Sequence, residues 1–325
     1  MRDLTPERPA SLCFDPTLAE APRLRLRSSA NPDGTPVLVP GRLIACPRWI
    51  QPTYDALAEG AEHGRDLAIL RGNRITAVVR SQQGSDPTRR RLQHRRHDDH
   101  LATLALARAL ILAKTAGQVA VLRRHARQRP DPHLAERADA CAKDRHGLAG
   151  FTTLEALRGR EGIIARSYFG GWPRLLGLPS FQRIPRRALN PINHLLDLAY
   201  SRLCQAVTLH LLDQGLDLAL GTLHSPDDRR PTLALDLMEP LRPPIADRFV
   251  IACHQDALNG GWLQEEQGRW HLTSTGRQRF RDRWERWMHG GSRRDGQLHL
   301  VADCLHIYGR WLDNSDDLSF PTYAG

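Results

Sequence analysis

Lysine is almost missing from this chain of 325 residues. Lys114 and Lys143 are the only two, and arginine carries most of the positive side of a formal net charge of +10. A compositional preference for arginine accounts for part of that basicity but not for where the charges cluster. The balance points to a polyanionic partner, nucleic acid or an acidic membrane face. Paired-cysteine motifs are missing as well. Cys13, Cys46, Cys141, Cys204, Cys253 and Cys304 stand far apart with no CxxC. That spacing argues against structural zinc and for reduced, buried thiols in a cytoplasmic protein. The first residues, MRDLTPERPASLCF, hold no apolar signal core. The most apolar segment, Leu101–Leu122, is interrupted by Arg108, Lys114 and Gln118, so no membrane partner is expected. There is no GxxxxGK[ST] phosphate loop, no GxSxG elbow, no HExxH and no internal repeat. With 41% hydrophobic residues the chain can bury a sizeable core, and its length suits two domains.

Residues 1–22 are proline-rich and aperiodic and read as a loosely ordered arm. Leu24 and Leu26 alternate with arginines, as in an exposed strand. Val37–Cys46 has strand content broken by Pro40 and Gly41, and Tyr54–Glu62 is helix-like. Asp66–Leu70 and Ile75–Val79 flank a Gly-Asn turn, which predicts a β-hairpin. Residues 23–80 therefore form a small β domain, and 81–98, crowded with Arg89, Arg90, Arg91, Arg95 and Arg96, a basic linker. From 99 to 325 the periodicity is helical, with helices expected at 101–124, 153–169, 192–212, 246–259, 273–288 and 298–312. The fold class is α+β: a small N-terminal β-strand domain followed by a larger all-α C-terminal catalytic domain.

Gly221–Pro243 holds the densest chemistry. His224 precedes a polar turn, Ser225–Arg230, and then an apolar run carries Asp236 and ends at Glu239. Buried charge is costly unless paired or bound to a metal. On the helix at 153–169, Glu161 falls on the stripe of Leu157, Ile164, Ala165 and Tyr168. Gly162 follows it and implies close approach of a backbone or a ligand, because glycine costs about 1 kcal/mol inside a helix. An imidazole with two or three carboxylates is a nitrogen–oxygen set suited to Mg²⁺ or Mn²⁺. Spacing alone leaves other readings open: a satisfied histidine, a capping Asp236, a buried salt bridge at Glu161. In a basic protein such a set points to phosphodiester chemistry. Arg183, Arg186 and Arg187 precede the helix at 192; Arg229, Arg230 and Arg242 flank the proposed site. With Tyr168 they are the candidate DNA contacts. The late helix carries Arg277, Arg279, Arg281, Arg283 and Arg286 with Trp284 and Trp287, which either clamp nucleic acid or pack inward.

Three motifs resemble the CRISPR-associated integrase/endonuclease family of spacer acquisition, the Cas-one family. Glu161-Gly162 with Ala165 and Tyr168-Phe169 is similar to its EGxxAxxYF helix. Asn190-Pro191-Ile192-Asn193 with Tyr200 and Leu203 looks like its DPVNxxLxxxYxxL helix, with Asn190 in place of the usual aspartate. His224 followed by LALDLMEPLRP resembles its metal-binding segment, with Glu239 where many members have aspartate. The resemblance implies that Glu161, His224 and Glu239 hold Mg²⁺ or Mn²⁺, with Asp236 auxiliary. It also implies a homodimer made through the β domains, bridged to another by a small Cas-two partner. The activity it implies is insertion of prespacer DNA into a repeat array by attack of a 3′-hydroxyl on a phosphodiester of double-stranded DNA. Two alternatives stand beside it: a non-catalytic DNA-binding scaffold of the same fold, and a general metal-dependent nuclease acting on branched DNA.

Overall fold

The structure is a computed structural model of the chain. It describes residues 10–15, 18, 24–29, 31–37, 42–47, 49–72, 74–81, 87–185, 188–227, 230–290, 296–315 and 317–322. The chain divides into two compact units, an N-terminal one joined by Thr208–Asp217 and a larger one containing Leu92–Val207 and the residues from Leu218 on.

The N-terminal unit holds seven strands among the described residues: β1 (Ala10–Phe14), β2 (Leu24–Ser28), β3 (Asn31–Pro36), β4 (Leu43–Pro47), β5 (Ile50–Pro52), β6 (Asp66–Arg71) and β7 (Arg74–Val79). Helix α1 (Tyr54–Glu62) falls between β5 and β6. One sheet has the order β3-β2-β1-β5 and the other β4-β6-β7. Within the expected arm at 1–22 the described stretch is ordered: Ala10–Phe14 pairs with β2 along its whole length and with β5 in parallel. The expected exposed strand is corrected. β2 lies inside its sheet, and Leu24 and Leu26 are buried. Alternation supplied the reason, since it sends the leucines to one face and the arginines to the other. Leu12, Leu24, Ile44, Cys46, Ala56 and Leu67 make the core. The hairpin β6–β7 and helix α1 lie where periodicity placed them. β3 was not foreseen, because NPDGTP is turn chemistry and its six residues are exposed or half-buried.

The larger unit is helical. Its elements are α2 (Pro87–Asp98), which begins just ahead of the unit's boundary, α3 (His100–Gln128), α4 (Pro132–His146), α5 (Leu154–Gly170), α6 (Trp172–Leu176), α7 (Pro191–Asp213), which belongs to it up to Val207, α8 (Thr232–Leu237), α9 (Arg248–Asn259), α10 (Ser274–His289) and α11 (Leu298–Leu312). α2 corrects the linker at 81–98: its last twelve residues are a helix, and the arginine run lies on it. A two-stranded hairpin, β8 (Leu263–Glu266) with β9 (Arg269–Leu272), joins the otherwise helical elements. α3 is long and apolar enough to cross a membrane. Its Leu106, Leu110, Ile111, Val121 and Leu122 are buried in the helical core. Side chains set its boundaries and those of its neighbours: Asp99, Asp131, Thr153 and Thr273 cap α3, α4, α5 and α10.

Candidate cation site of the helical unit

α5 supplies Glu161, and the turn after α8 supplies Glu239. A third element, α3, meets both. Lys114 Nζ lies 2.5 Å from Glu161 Oε1 and 2.7 Å from Glu239 Oε2. The other Glu239 oxygen, Oε1, is 3.0 Å from Arg242 Nη2. The Lys114–Glu239 contact is an ion pair without hydrogen-bond alignment, since Oε2 is buried and lacks a properly directed donor. Glu239 and Lys114 side chains are 8% and 9% exposed, whereas Glu161 is 29% exposed and opens the group outward. Burial works against the charge on Glu239, but Arg242 and Lys114 outweigh it and hold the carboxyl below its usual range. Burial likewise opposes the charge on Lys114, and Glu239 and Glu161 raise it above the ordinary lysine value.

Gly117, one turn beyond Lys114 on α3, permits this approach. A Cβ there would sit 3.1 Å from Pro243 Cβ. Pro243 belongs to a π-helical turn, Arg242–Asp247, that leads into α9. A Cβ on Gly162 would meet nothing within 4 Å. The close protein contact expected at Gly162 is thus absent, and the space beside Glu161 is open.

Asp236 organises the His224 loop. Its carboxylate is fully buried and accepts from Thr222 N, Thr222 Oγ1 (3.1 Å), Leu223 N (2.8 Å), His224 N (2.9 Å) and His224 Nδ1 (2.6 Å). The Asp236 carboxylate accepts here, so Nδ1 carries the hydrogen of this bond and Nε2 is the ring nitrogen left to face a ligand. Gly221 allows the loop to close, because a Cβ would fall 2.6 Å from His224 O and 2.8 Å from Thr232 Cβ. Arg158, one turn before Glu161, donates from Nε to Leu223 O at 2.6 Å and ties this loop to α5.

The group fits a divalent cation in two respects. Two carboxylates from separate elements already converge on one positive charge, for which the lysine ammonium stands in. An imidazole, oriented by a carboxylate, belongs to the loop beside them. Among the described residues no three His, Cys, Asp or Glu side chains are yet close enough to cage an ion.

Several candidate DNA contacts have partners inside the protein. Tyr168 is buried, with its hydroxyl donating to Asp247 Oδ2 at 2.9 Å. Arg183 donates to Asn193 Oδ1 and Asp197 Oδ1, each at 2.8 Å, and lies over the rings of Phe169 and Tyr200. Arg242 pairs with Glu239 and covers the Tyr200 ring at 4.8 Å. All three are occupied internally. Arg230 is exposed and follows the His224 loop, while Arg186, Arg187 and Arg229 lie outside the described residues. Trp284 packs on Phe249 and Phe280, and Trp287 donates to Ile245 O at 3.1 Å. The inward reading holds for both tryptophans. Asn190 does the capping work an aspartate would do, accepting from Asn193 N at 2.8 Å.

Sequence reasoning missed Lys114, Arg158 and Asp247. Asp247 is buried and accepts from both Tyr168 and Tyr200, the latter at 2.6 Å. The available signals were a lysine in the most apolar stretch of a chain with only two lysines, and an aspartate in the apolar run PPIADRFV.

A β-rich unit joined to a helical unit, with an acidic pair and a carboxylate-anchored histidine in the latter, defines a class of α+β proteins with a candidate cation site. Residues 41–286 match the family CRISPR associated protein Cas1. The chain belongs to the Cas1 family. It is 35% identical over 179 residues to the CRISPR-associated endonuclease Cas1 1 of Thermus thermophilus, covering 52% of this chain and 54% of that one. The matched stretch thus spans about half of that relative's length. Among solved structures, a Cas1 protein from Thermotoga maritima superposes with TM-score 0.73 at 18% identity, covering 94% of each chain. A casposase bound to integration product superposes with TM-score 0.71 at 19% identity, covering 97% of this chain and 92% of that one. At these identities the two likenesses establish the fold.

Proposed function

We propose that this protein is a divalent-metal-dependent DNA integrase and endonuclease of CRISPR adaptation. It would insert prespacer DNA by attack of a 3′-hydroxyl on a repeat phosphodiester. One observation carries the reading: Glu161 and Glu239, within family motifs, converge on a single cationic position. Glu161, His224 and Glu239 would hold Mg²⁺ or Mn²⁺, and the ion would supply charge stabilisation at the phosphoryl oxygens. The chain's own part is to orient. Asp236 keeps the His224 proton on Nδ1 and presents Nε2, and Arg158 anchors the loop backbone to the helix of Glu161. Arg230 would meet the DNA backbone at the edge of the site. The substrate is double-stranded DNA, and the working assembly is a homodimer bridged to another by a small Cas2 partner. The location is cytoplasmic, in keeping with free cysteines whose thiols burial raises to about 11 at Cys46 and Cys141 and about 12 at Cys253.

The test is strand transfer of prespacer DNA into a repeat-bearing plasmid by the protein with Cas2 and Mn²⁺. Glu161→Ala, His224→Ala and Glu239→Ala should each reduce product at least ~100-fold, the scale of a lost charge-stabilising contact. Wild-type yields from all three would refute the ligand assignment.

A further inference from the structure

Lys114 lies 2.5 Å from one proposed ligand and 2.7 Å from the other. It therefore sits between the two carboxylates that the reading above assigns to a divalent ion. Four side chains at this position balance in charge. Glu161 and Glu239 face Lys114 and Arg242, and Arg242 already takes Glu239 Oε1. Glu239 Oε2, buried and without a directed hydrogen bond, is the atom the ammonium covers. Without Lys114 the two carboxylates would be left with one guanidinium, paired with Glu239, against two negative charges. Glu239 is buried, so an unbalanced negative charge beside it is unfavourable.

We propose that Lys114 is a built-in counter-cation of the Glu161–Glu239 pair, holding the cation position until a divalent ion displaces its ammonium. The proposal rests on the metal-binding reading and extends it. The lysine keeps α5 and the turn after α8 together in the metal-free protein, and it sets a threshold on metal affinity because an entering ion must push a paired charge aside. A purely structural lysine would stabilise the fold equally with and without metal. A counter-cation makes the two conditions differ.

The experiment uses Mn²⁺ alone as the probe, with calorimetric titration and thermal unfolding of the full chain. Lys114→Met should unfold at lower temperature than wild type without metal. On adding Mn²⁺ it should gain more than wild type does, and it should bind Mn²⁺ on the order of tenfold more tightly. Recovery of folded Lys114→Met only in the presence of Mn²⁺ would be the same result in stronger form. The double variant Lys114→Met/Glu161→Gln restores charge balance. It should unfold at least as high as Glu161→Gln alone without metal, and it should lose the tightened binding. If wild type and Lys114→Met bind Mn²⁺ with the same affinity and the same thermal gain, the counter-cation role is wrong and the metal site stands. If neither binds Mn²⁺, both readings fall. A loss from Lys114→Met as large in the Glu161→Gln background as in wild type also overturns the role, since the two residues would then be uncoupled.

Discussion

Asp247 is held between the hydroxyls of Tyr168 and Tyr200, deep in the helical unit. Burial pushes its carboxyl up from 3.8 to about 6, against the pull of the two tyrosines and Arg242. An acid raised by folding binds its proton more tightly in the folded chain than in the unfolded one. Stability from this group is therefore full below its ordinary value and is lost as pH rises through about 6. The shift corresponds to roughly 3 kcal/mol. Glu239 acts in the opposite sense. Its lowered carboxyl contributes stability at neutral pH that is lost on acidification. Asp247→Asn should remove the first slope and leave the second. Chemical denaturation between pH 4 and 7 would show the gap between wild type and variant changing with pH; a constant gap would reject the assignment.

At the scale of elements, glycines decide which helices touch. Gly276 opens α10 against the backbone of Trp262, where a Cβ would fall 2.0 Å from the carbonyl oxygen. Gly276→Ala should cost about 1–3 kcal/mol, because a backbone atom cannot yield as a side chain can. Gly162 has no such neighbour. Gly162→Ala should instead stabilise the DNA-free protein by about 1 kcal/mol through helix propensity. Thermal unfolding of both variants decides this. A strand-transfer defect in the stabilised Gly162→Ala protein would show that DNA uses the open space beside Glu161. The periodicity of α5, α7, α10 and α11 was legible because an amphipathic stripe is local information. α8 was legible only as an apolar run: its burial reflects Asp236 drawing the 222–224 backbone around its carboxylate, a contact made across fourteen residues or fewer yet not spelled by spacing.

For the molecule as a whole, the net charge of +10 favours a polyanion, but the charge is not all available. Arg183 and Arg242 serve internal carboxylates, whereas Arg230 is exposed. Arg230→Ala should weaken DNA binding, reduce the slope of log affinity against log salt by about 1, and leave the unfolding temperature unchanged. Arg242→Ala should lower the unfolding temperature, because it leaves a buried Glu239 with one partner fewer. Binding measured at several salt concentrations, beside melting curves, separates the two; an unchanged slope for Arg230→Ala would remove it from the interface.

The sequence by itself determined the order of strands before helices, most helix positions, the family, and three side chains unlike their apolar surroundings, Glu161, His224 and Glu239. Those are properties of local pattern and residue type. Only the tertiary structure decided how charges are shared. It drew Ala10–Phe14 into a sheet, turned Tyr168 and Arg183 inward, moved the close helix contact from Gly162 to Gly117, and set Lys114 between Glu161 and Glu239. A buried charge takes its meaning from the partner it meets, and that partner arrives from a distant element that no local pattern specifies.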